Sequence, residues 1–207
     1  MLNVYEIFST ILGESSRSGY PVVLVRLTGC NLRCRYCDTA YAYSGGQELS
    51  LPEIIKKIQE PGLPLVLITG GEPLLQAETP ALIKNLLDSG MTVLVETNGS
   101  LPISTVDPRA VIILDQKCPG SGMADRMDPA NLELVRAQDE IKFVLYDQED
   151  YLFARDLTLR KNLPRKSHVI FSPVHGFLSP QVLAEWILQD HLPVRLGLQI
   201  HHYIGVK

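Results

Sequence analysis

Short apolar runs recur along the chain and are separated by polar stretches. The runs are four to seven residues long, are rich in Val, Ile and Leu, and cover 22–27, 65–69, 91–96, 111–114, 141–145, 168–172 and 194–200. Near-continuous runs of this kind are typical of strands that are buried on both faces of a parallel sheet. The pattern therefore predicts about seven strands in one buried sheet.

Helix start signals lie between several of these runs. Ser50 is followed three residues later by Glu53, the pattern of a capping box, and Thr79, Asp128 and Ser179 each precede a proline. Strands that alternate with helices form right-handed crossover units. A chain of 207 residues falls short of the roughly 250 that a full eightfold barrel takes. The sequence thus predicts an α/β fold, an incomplete and laterally open (β/α) barrel of about six or seven mostly parallel strands.

Composition and charge restrict the class of protein further. Of the 207 residues 45% are hydrophobic, which suits a single domain over 1–207. The net charge of −4 does not provide the positive field that sequence-independent nucleic-acid binding requires. No apolar run approaches the roughly 20 residues of a membrane-spanning helix, and the N-terminus lacks the pattern of a signal peptide. We therefore expect a soluble, cytoplasmic protein without a nucleic-acid or membrane partner.

Polar and glycine-rich segments follow the predicted strands. They cover residues 28–39, 70–73, 96–99, 115–117 and 172–176. The carboxyl ends of parallel strands meet at one edge of an open sheet or one mouth of a barrel, so these segments converge there. Polar sequence follows any strand, but several such segments on one edge predict a functional site.

Three of the four cysteines lie in the segment CNLRCRYC. In a reducing cytoplasm, clustered cysteines bind metal or react more often than they form disulfides. The thiolates of Cys30, Cys34 and Cys37 are one short of the four that close a structural zinc site or a fully ligated iron-sulfur cluster. The spacing favours a cluster with one open metal position. Two alternatives stay open here: Cys118 supplies a fourth thiolate and closes a zinc or electron-transfer site, or the cysteines are core residues without a ligand.

The cysteine segment also resembles a known signature. The three cysteines, with Tyr36 before the last of them, are similar to the C-x3-C-x-aromatic-C motif of the radical S-adenosylmethionine (SAM) superfamily, and GGEP at 70–73 resembles its SAM-binding segment. The resemblance implies a [4Fe-4S] cluster whose open iron is chelated by SAM. One-electron reduction would cleave SAM to methionine and a 5′-deoxyadenosyl radical, which abstracts a hydrogen atom from the substrate.

Longer segments resemble one family of that superfamily, the 7-carboxy-7-deazaguanine synthases, over nearly the whole chain. The matching segments are EIFSTILGE from Glu6, VVLVRLTGC from Val22, CDT from Cys37, TGGEP from Thr69, ETNG from Glu96, IKFV from Ile141, FSPV from Phe171 and the terminal LQIHHYIG. The resemblance implies conversion of 6-carboxy-5,6,7,8-tetrahydropterin to 7-carboxy-7-deazaguanine with loss of ammonia, in the biosynthesis of queuosine and related 7-deazapurines.

The same resemblance implies a role for each matching residue. Cys30, Cys34 and Cys37 would hold the cluster, and Thr39 would bind Mg²⁺. The implied SAM contacts are Tyr36, Cys37, Asp38, Gly71, Glu72, Asp115, Gln116, Lys117, Phe171, Ser172, Pro173 and Val174. The implied substrate contacts are Ile11, Leu12, Gly13, Glu14, Arg26, Thr69 and Lys207. The sequence departs from the family at Leu12, which replaces a glutamine, and at Asp115, which replaces a serine.

The implied partners are a second copy of the chain, in a homodimer, and an electron donor such as flavodoxin or ferredoxin. Two other functions compete with the synthase: a radical SAM enzyme that activates a glycyl-radical protein, and a zinc or redox-binding module that is not an enzyme. A second metal site at His201 and His202 is disfavoured, because no carboxylate lies at ligand spacing in the sequence. His175 stays open between the SAM pocket and a surface loop, and Lys142 between a structural role and a place near SAM.

Overall fold

Within residues 1–206, which the computed structural model describes, nine strands lie side by side in one sheet. They are β1 (Leu2–Ile11), β2 (Pro21–Leu27), β3 (Gln47–Leu49), β4 (Leu65–Gly70), β5 (Thr92–Thr97), β6 (Val111–Asp115), β7 (Glu140–Leu145), β8 (His168–Pro173) and β9 (Arg195–Leu196). In space the order is β3-β1-β2-β4-β5-β6-β7-β8-β9. Neighbours from β2 to β9 are parallel, whereas β1 is antiparallel to β2 and β3. The sheet does not close, so the predicted open and mostly parallel α/β fold is confirmed.

The predicted strands are all present, and the differences lie at the edges of the sheet. The last predicted strand, 194–200, is reduced to Arg195 and Leu196, which pair with Ile170 and Phe171 of β8. β1 and β3 are additional to the prediction. In β1 polar residues interrupt the apolar ones after every one or two positions, so it contains no apolar run of four residues, and β3 has only three residues.

Six helices accompany these strands within the described residues. They are α1 (Leu51–Gln59), α2 (Thr79–Asp88), α3 (Asn131–Leu134), α4 (Gln148–Lys161), α5 (Pro180–Gln189) and α6 (His201–Ile204). The capping box at α1 is confirmed, since the Ser50 N–H donates to Glu53 at 2.8 Å. The start signal at Asp128 precedes only the four-residue α3. Among the described residues, no helix combines the length and apolar character needed to cross a bilayer.

α4 has no counterpart among the predicted helices. Its first turn is capped by Asp147, whose side chain accepts from the Asp150 N–H at 3.0 Å. Its buried face carries Asp150 and Thr158 beside Tyr151 and Ala154. Because polar residues occupy part of that face, the apolar stripe by which an amphipathic helix is normally read is absent.

The two faces of the sheet pack differently. On β2, Val23, Val25 and Leu27 point to the outer face and join the main core beneath the helices. Val22 and Leu24 point the other way and join a smaller apolar cluster on the inner face. The inner cluster forms an apolar base, and a cavity opens above it at the carboxyl ends of the parallel strands.

Candidate active site

The polar residues of the inner face lie where the strands end. Successive side chains of a strand point to opposite faces, so β2 directs Leu24 and then Arg26 inward, and β4 directs Leu67 and then Thr69. The equivalent inward positions are Glu96 and Asp115 near the ends of β5 and β6, and Lys142 in the middle of β7, where it pairs with Asp115. All of these line one cavity of about 480 Å³, a volume typical of small-molecule sites.

The three clustered cysteines line the same cavity. Cys30, Cys34 and Cys37 are partly exposed free thiols. Cys118 is fully buried in the main core and does not line the cavity. The alternative in which Cys118 closes the site as a fourth ligand is therefore wrong, and so is the one in which the three are core residues.

Nitrogen donors surround Cys30. The Leu32 N–H lies 3.4 Å from its sulfur, and the Asn98 side-chain amide lies 3.6 Å from it. Burial raises the pKa of the Cys30 thiol, and these donors oppose the rise. Burial also raises the pKa of Cys34, against the attraction of Lys117. Thiols with raised pKa values release their protons when they bind metal, and N–H donors to sulfur tune the reduction potential of an iron-sulfur cluster. The donor set thus fits a cluster that is held by three thiolates.

The GGEP segment packs tightly against the cysteine loop. A Cβ at Gly71 would lie 2.0 Å from the Gly29 carbonyl oxygen, so no other residue fits there without movement. Glu72 is fully buried, and its carboxylate accepts from Leu74 N at 2.9 Å, Thr97 Oγ1 at 2.8 Å and Asn98 N at 2.7 Å. Its side chain does not line the cavity. Glu72 thus links the segment that follows β4 to the end of β5 by hydrogen bonds.

Lys142 is the centre of a buried ion-pair network. Its ammonium is bonded to Glu14 and Glu96 and lies 3.8 Å from Asp115. Burial lowers the pKa of Lys142, but the attraction of these carboxylates outweighs it and raises the pKa well above its usual value. Lys142 is therefore a cation that holds two cavity-lining carboxylates in place.

Asp115 belongs to the same network through a second lysine. Its Oδ2 accepts from the Lys117 ammonium at 2.8 Å. Burial raises the pKa of Asp115, but Lys117 and Lys142 outweigh it, so the pKa is lowered overall. Its Oδ1 is buried and has no hydrogen-bond partner among the described residues. A buried carboxylate oxygen normally has a donor, so Asp115 Oδ1 is an unsatisfied acceptor within the cavity wall.

Arg26 is oriented by the first strand. Its Nε donates to Glu6 at 2.9 Å, and its guanidinium lies 5.7 Å from the centre of the Tyr41 ring. This bond uses one of the five N–H donors of the guanidinium. Next to it, Thr69 Oγ1 donates to Glu96 at 3.2 Å. The planar group of Arg26 is thus held at the cavity wall with donors that fit a carboxylate.

Glu140, the first residue of β7, holds the loop that follows β1 in place. Ser15 has a φ of 87°, a left-handed conformation that is unfavourable for serine. Its hydroxyl donates to the buried Glu140 at 2.9 Å, and the Ser16 N–H and hydroxyl donate to the same carboxylate at 3.0 and 2.6 Å. These bonds compensate the strained turn and place Glu14 against Lys142.

Tyr36 closes one side of the cavity. Its hydroxyl donates to the Val144 carbonyl at 2.9 Å, and its ring lies parallel to that of Tyr146 with centroids 6.2 Å apart. The neighbouring Thr39 hydroxyl lies 3.6 Å from Cys37 Sγ. Both Tyr36 and Thr39 line the cavity. Thr39 thus offers an oxygen ligand beside the cysteine triplet.

Most residues predicted for the site line this cavity. They are Ile11, Leu12, Gly13, Glu14, Arg26, Cys30, Cys34, Tyr36, Cys37, Asp38, Thr39, Thr69, Gly71, Asp115, Lys117 and Val174. The side chains that do not line it are Glu72, Gln116, Phe171, Ser172 and Pro173. Phe171 packs edge-on against Phe143 in the core, with ring centroids 5.3 Å apart. Lys207 lies outside the described residues.

Other lining residues were not assigned to the site from the sequence. They include Glu96, Asn98, Gln199, His201 and His202. His175 and Lys142, left open by the sequence, also line the cavity. Strand alternation carries a usable signal for two of them: Glu96 and Lys142 occupy the inward positions of β5 and β7 that Thr69 and Asp115 occupy on β4 and β6.

Comparison with known proteins places this geometry in a family. The model of the radical SAM superfamily matches residues 24–114. The 7-carboxy-7-deazaguanine synthase of Chlorobaculum tepidum is 45% identical over 206 residues, which cover 98% of this chain and 94% of that protein. The chain belongs to the 7-carboxy-7-deazaguanine synthase family. The synthase of Koribacter versatilis is also 45% identical, over 98% of this chain and 96% of that protein.

The fold agrees with a solved structure. The crystal structure of QueE from Escherichia coli matches with a TM-score of 0.77 over 95% of this chain and 93% of that chain, at 20% sequence identity. At this identity the match concerns the fold alone. Membership of the radical SAM superfamily brings a [4Fe-4S] cluster and SAM as cofactors, and the open donor set of Cys30, Cys34 and Cys37 fits that cluster.

Proposed function

We propose that this protein is a 7-carboxy-7-deazaguanine synthase, which converts 6-carboxy-5,6,7,8-tetrahydropterin to 7-carboxy-7-deazaguanine with loss of ammonia, for queuosine or a related 7-deazapurine. The observation that carries the proposal is that one cavity holds both the three-cysteine loop and a second set of polar groups, formed by Glu14, Arg26 and Thr69. When bound, the cluster and SAM supply a radical that abstracts a hydrogen atom. The residues of the chain bind the reactants, orient them and keep water away.

Two groups of residues divide the cavity between cofactor and substrate. For SAM we propose the side of Tyr36, Gly71 and Asp115, all of which line the cavity near the cysteine triplet. The close packing at Gly71 leaves backbone, not side chain, facing the cofactor. The buried Glu72 supports this segment through its own bonds to the backbone.

For the substrate we propose the opposite side. The guanidinium of Arg26 pairs with the pterin carboxylate, because its planar fork matches two carboxylate oxygens. Glu14 accepts from the N–H groups of the ring, and Lys142 fixes its direction. For Mg²⁺ we propose Thr39 as the protein ligand. Mg²⁺ prefers oxygen ligands and keeps several waters, so one hydroxyl beside a substrate carboxylate suits it.

We also propose that the protein is a homodimer and receives its electron from a flavodoxin or ferredoxin. The glycyl-radical activating enzyme has no observation in its favour here, since a protein substrate would not need a small polar cavity lined by Arg26 and Glu14. A non-enzymatic zinc module would need Cys118 as its fourth ligand, but Cys118 is buried in the core.

The test is an anaerobic assay of reconstituted, reduced protein with SAM, Mg²⁺ and 6-carboxytetrahydropterin, with the product identified by mass spectrometry. We expect 7-carboxy-7-deazaguanine from the wild type and from the control Cys118→Ala. We expect Cys30→Ala, Cys34→Ala and Cys37→Ala to lose both the cluster and the product. SAM cleavage without the deazaguanine would reject the substrate assignment but retain the radical chemistry. Protein that takes up zinc and no iron would reject both.

A further inference from the structure

Asp38, His201 and His202 meet at the rim of the cavity, although Asp38 lies in the cysteine loop and both histidines lie in the C-terminal segment. One potential ligand atom of each lies within 4.8 Å of the other two. All three line the cavity. No carboxylate lies near the two histidines along the chain, but the fold brings that of Asp38 next to them.

The histidine rings are held in place by packing. A Cβ at Gly13 would lie 2.1 Å from His201 Nδ1, so the ring fits only because residue 13 is glycine. The backbone beside it is fixed as well, since the Ile200 N–H donates to the Gly13 carbonyl at 3.0 Å. The His202 ring stacks on His175 with centroids 4.2 Å apart. These contacts orient the His201 and His202 rings in the absence of a bound ion.

We propose that Asp38, His201 and His202 form a binding site for a divalent transition-metal ion such as Zn²⁺ or Fe²⁺. Two imidazoles and one carboxylate are ligands that suit these ions, whereas Mg²⁺ prefers a set of oxygen ligands. The site is therefore chemically different from the Mg²⁺ position proposed at Thr39. Water completes the coordination, as at other sites with three protein ligands.

The position of this site gives it a structural consequence. Asp38 directly follows the cluster ligand Cys37, and the histidines follow Gln199, which donates to Glu14 at 2.5 Å. An ion shared by Asp38, His201 and His202 links the cysteine loop to the C-terminal segment across the rim. We expect it to restrain residues 199–204 over the cavity.

The experiment uses the reconstituted holoenzyme, in which the cluster occupies the clustered cysteines. The protein is dialysed anaerobically against Zn²⁺ in excess Mg²⁺, and zinc and iron are measured in the same sample. We expect one zinc per chain with the iron retained. His202→Ala and Asp38→Asn should weaken zinc binding by at least about tenfold. Loss of a residue that only hydrogen-bonds to a metal ligand already lowers metal affinity by about that factor. His168→Ala, an exposed histidine at the start of β8, is the matched control and should bind as the wild type does.

Hydrogen exchange supplies a second readout that requires no turnover. Zn²⁺ should slow amide exchange in residues 199–204 of the wild type and of His168→Ala, but not of His202→Ala. Zinc uptake only in proportion to iron loss, or equal uptake by all the variants, would overturn the proposal. Neither readout involves the pterin reaction, so a failure here is distinct from a failure of the proposed function.

Discussion

Replacement of Lys142 by methionine should destabilise the protein through the carboxylates that surround it. The Lys142 side chain is only 4% exposed and is bonded to Glu14 and Glu96, with Asp115 at 3.8 Å. Methionine retains much of the apolar stem but has no charge. The variant therefore leaves these carboxylates facing one another, with Lys117 as the cation that still pairs with Asp115.

The magnitude follows from the burial of the partners. Removing one member of a buried ion pair costs about 3–5 kcal/mol. Glu14 and Glu96 are 19% and 23% exposed, so water stabilises them in part, and we expect the lower end, about 3 kcal/mol. In a protein of this size, a loss of about 3 kcal/mol corresponds to a fall in melting temperature of about 6–12 °C.

The pH dependence separates this explanation from a general loss of packing. The folded pKa of Lys142 is raised, so its stabilising contribution is complete below its unfolded pKa of about 10.4 and is lost only at higher pH. In the variant, the facing carboxylates repel one another without the compensating cation. This repulsion is complete near neutral pH and declines as the pH falls toward the range in which carboxylates take up protons.

The measurement is the free energy of unfolding in urea, for proteins of equal iron content, at pH 7.5 and pH 5. We expect the cost of Lys142→Met to shrink at the lower pH. Lys56→Met, at an exposed position of α1, is the control and should change stability by less than about 0.5 kcal/mol. A cost for Lys142→Met that is below 1 kcal/mol, or that is the same at both pH values, would refute the electrostatic reasoning.

Two further variants test the loop and the cavity wall. Ser15→Ala should lower the free energy of unfolding by about 2 kcal/mol, because it loses the bond to Glu140 and keeps the unfavourable φ. Ser15→Gly should lower it less, because glycine accepts that φ. Equal melting temperatures for the two variants would contradict the proposed contribution of the φ angle. Arg26→Lys should raise the KM for carboxytetrahydropterin by about tenfold or more, since lysine lacks the planar fork. Substrate-free SAM cleavage should be unchanged, and a parallel loss of it in this variant would place Arg26 outside the substrate site.

The parts of the fold and site that could be predicted are those with local signals. Buried parallel strands read as apolar runs, so β2 and β4 to β8 follow from the sequence. The cysteine triplet carries its chemistry in its spacing, and the structure places all three thiols at one cavity. Polar residues near the carboxyl ends of adjacent parallel strands lie side by side, as Arg26 of β2 and Thr69 of β4 do.

The parts that could not be predicted depend on contacts between distant segments. The sequence gives no sign that Lys142 meets Glu14, since 128 positions separate them. Nor does it show that the Glu72 carboxylate is used by Thr97 and Asn98. The carboxylate beside His201 also comes from the distant cysteine loop. In each case folding supplies the partner, and spacing along the chain does not reveal it.

Asp115 shows how a departure from the family pattern is accommodated. A carboxylate in place of serine adds a buried negative charge at the cavity wall, which is unfavourable unless it is paired. Lys117 lies 2.8 Å from Asp115 Oδ2 and Lys142 lies 3.8 Å from it, and the two cations lower the pKa of Asp115 despite its burial. One oxygen is thereby neutralised by lysine, while Oδ1 has no partner among the described residues. The two lysines therefore balance the added charge within the protein.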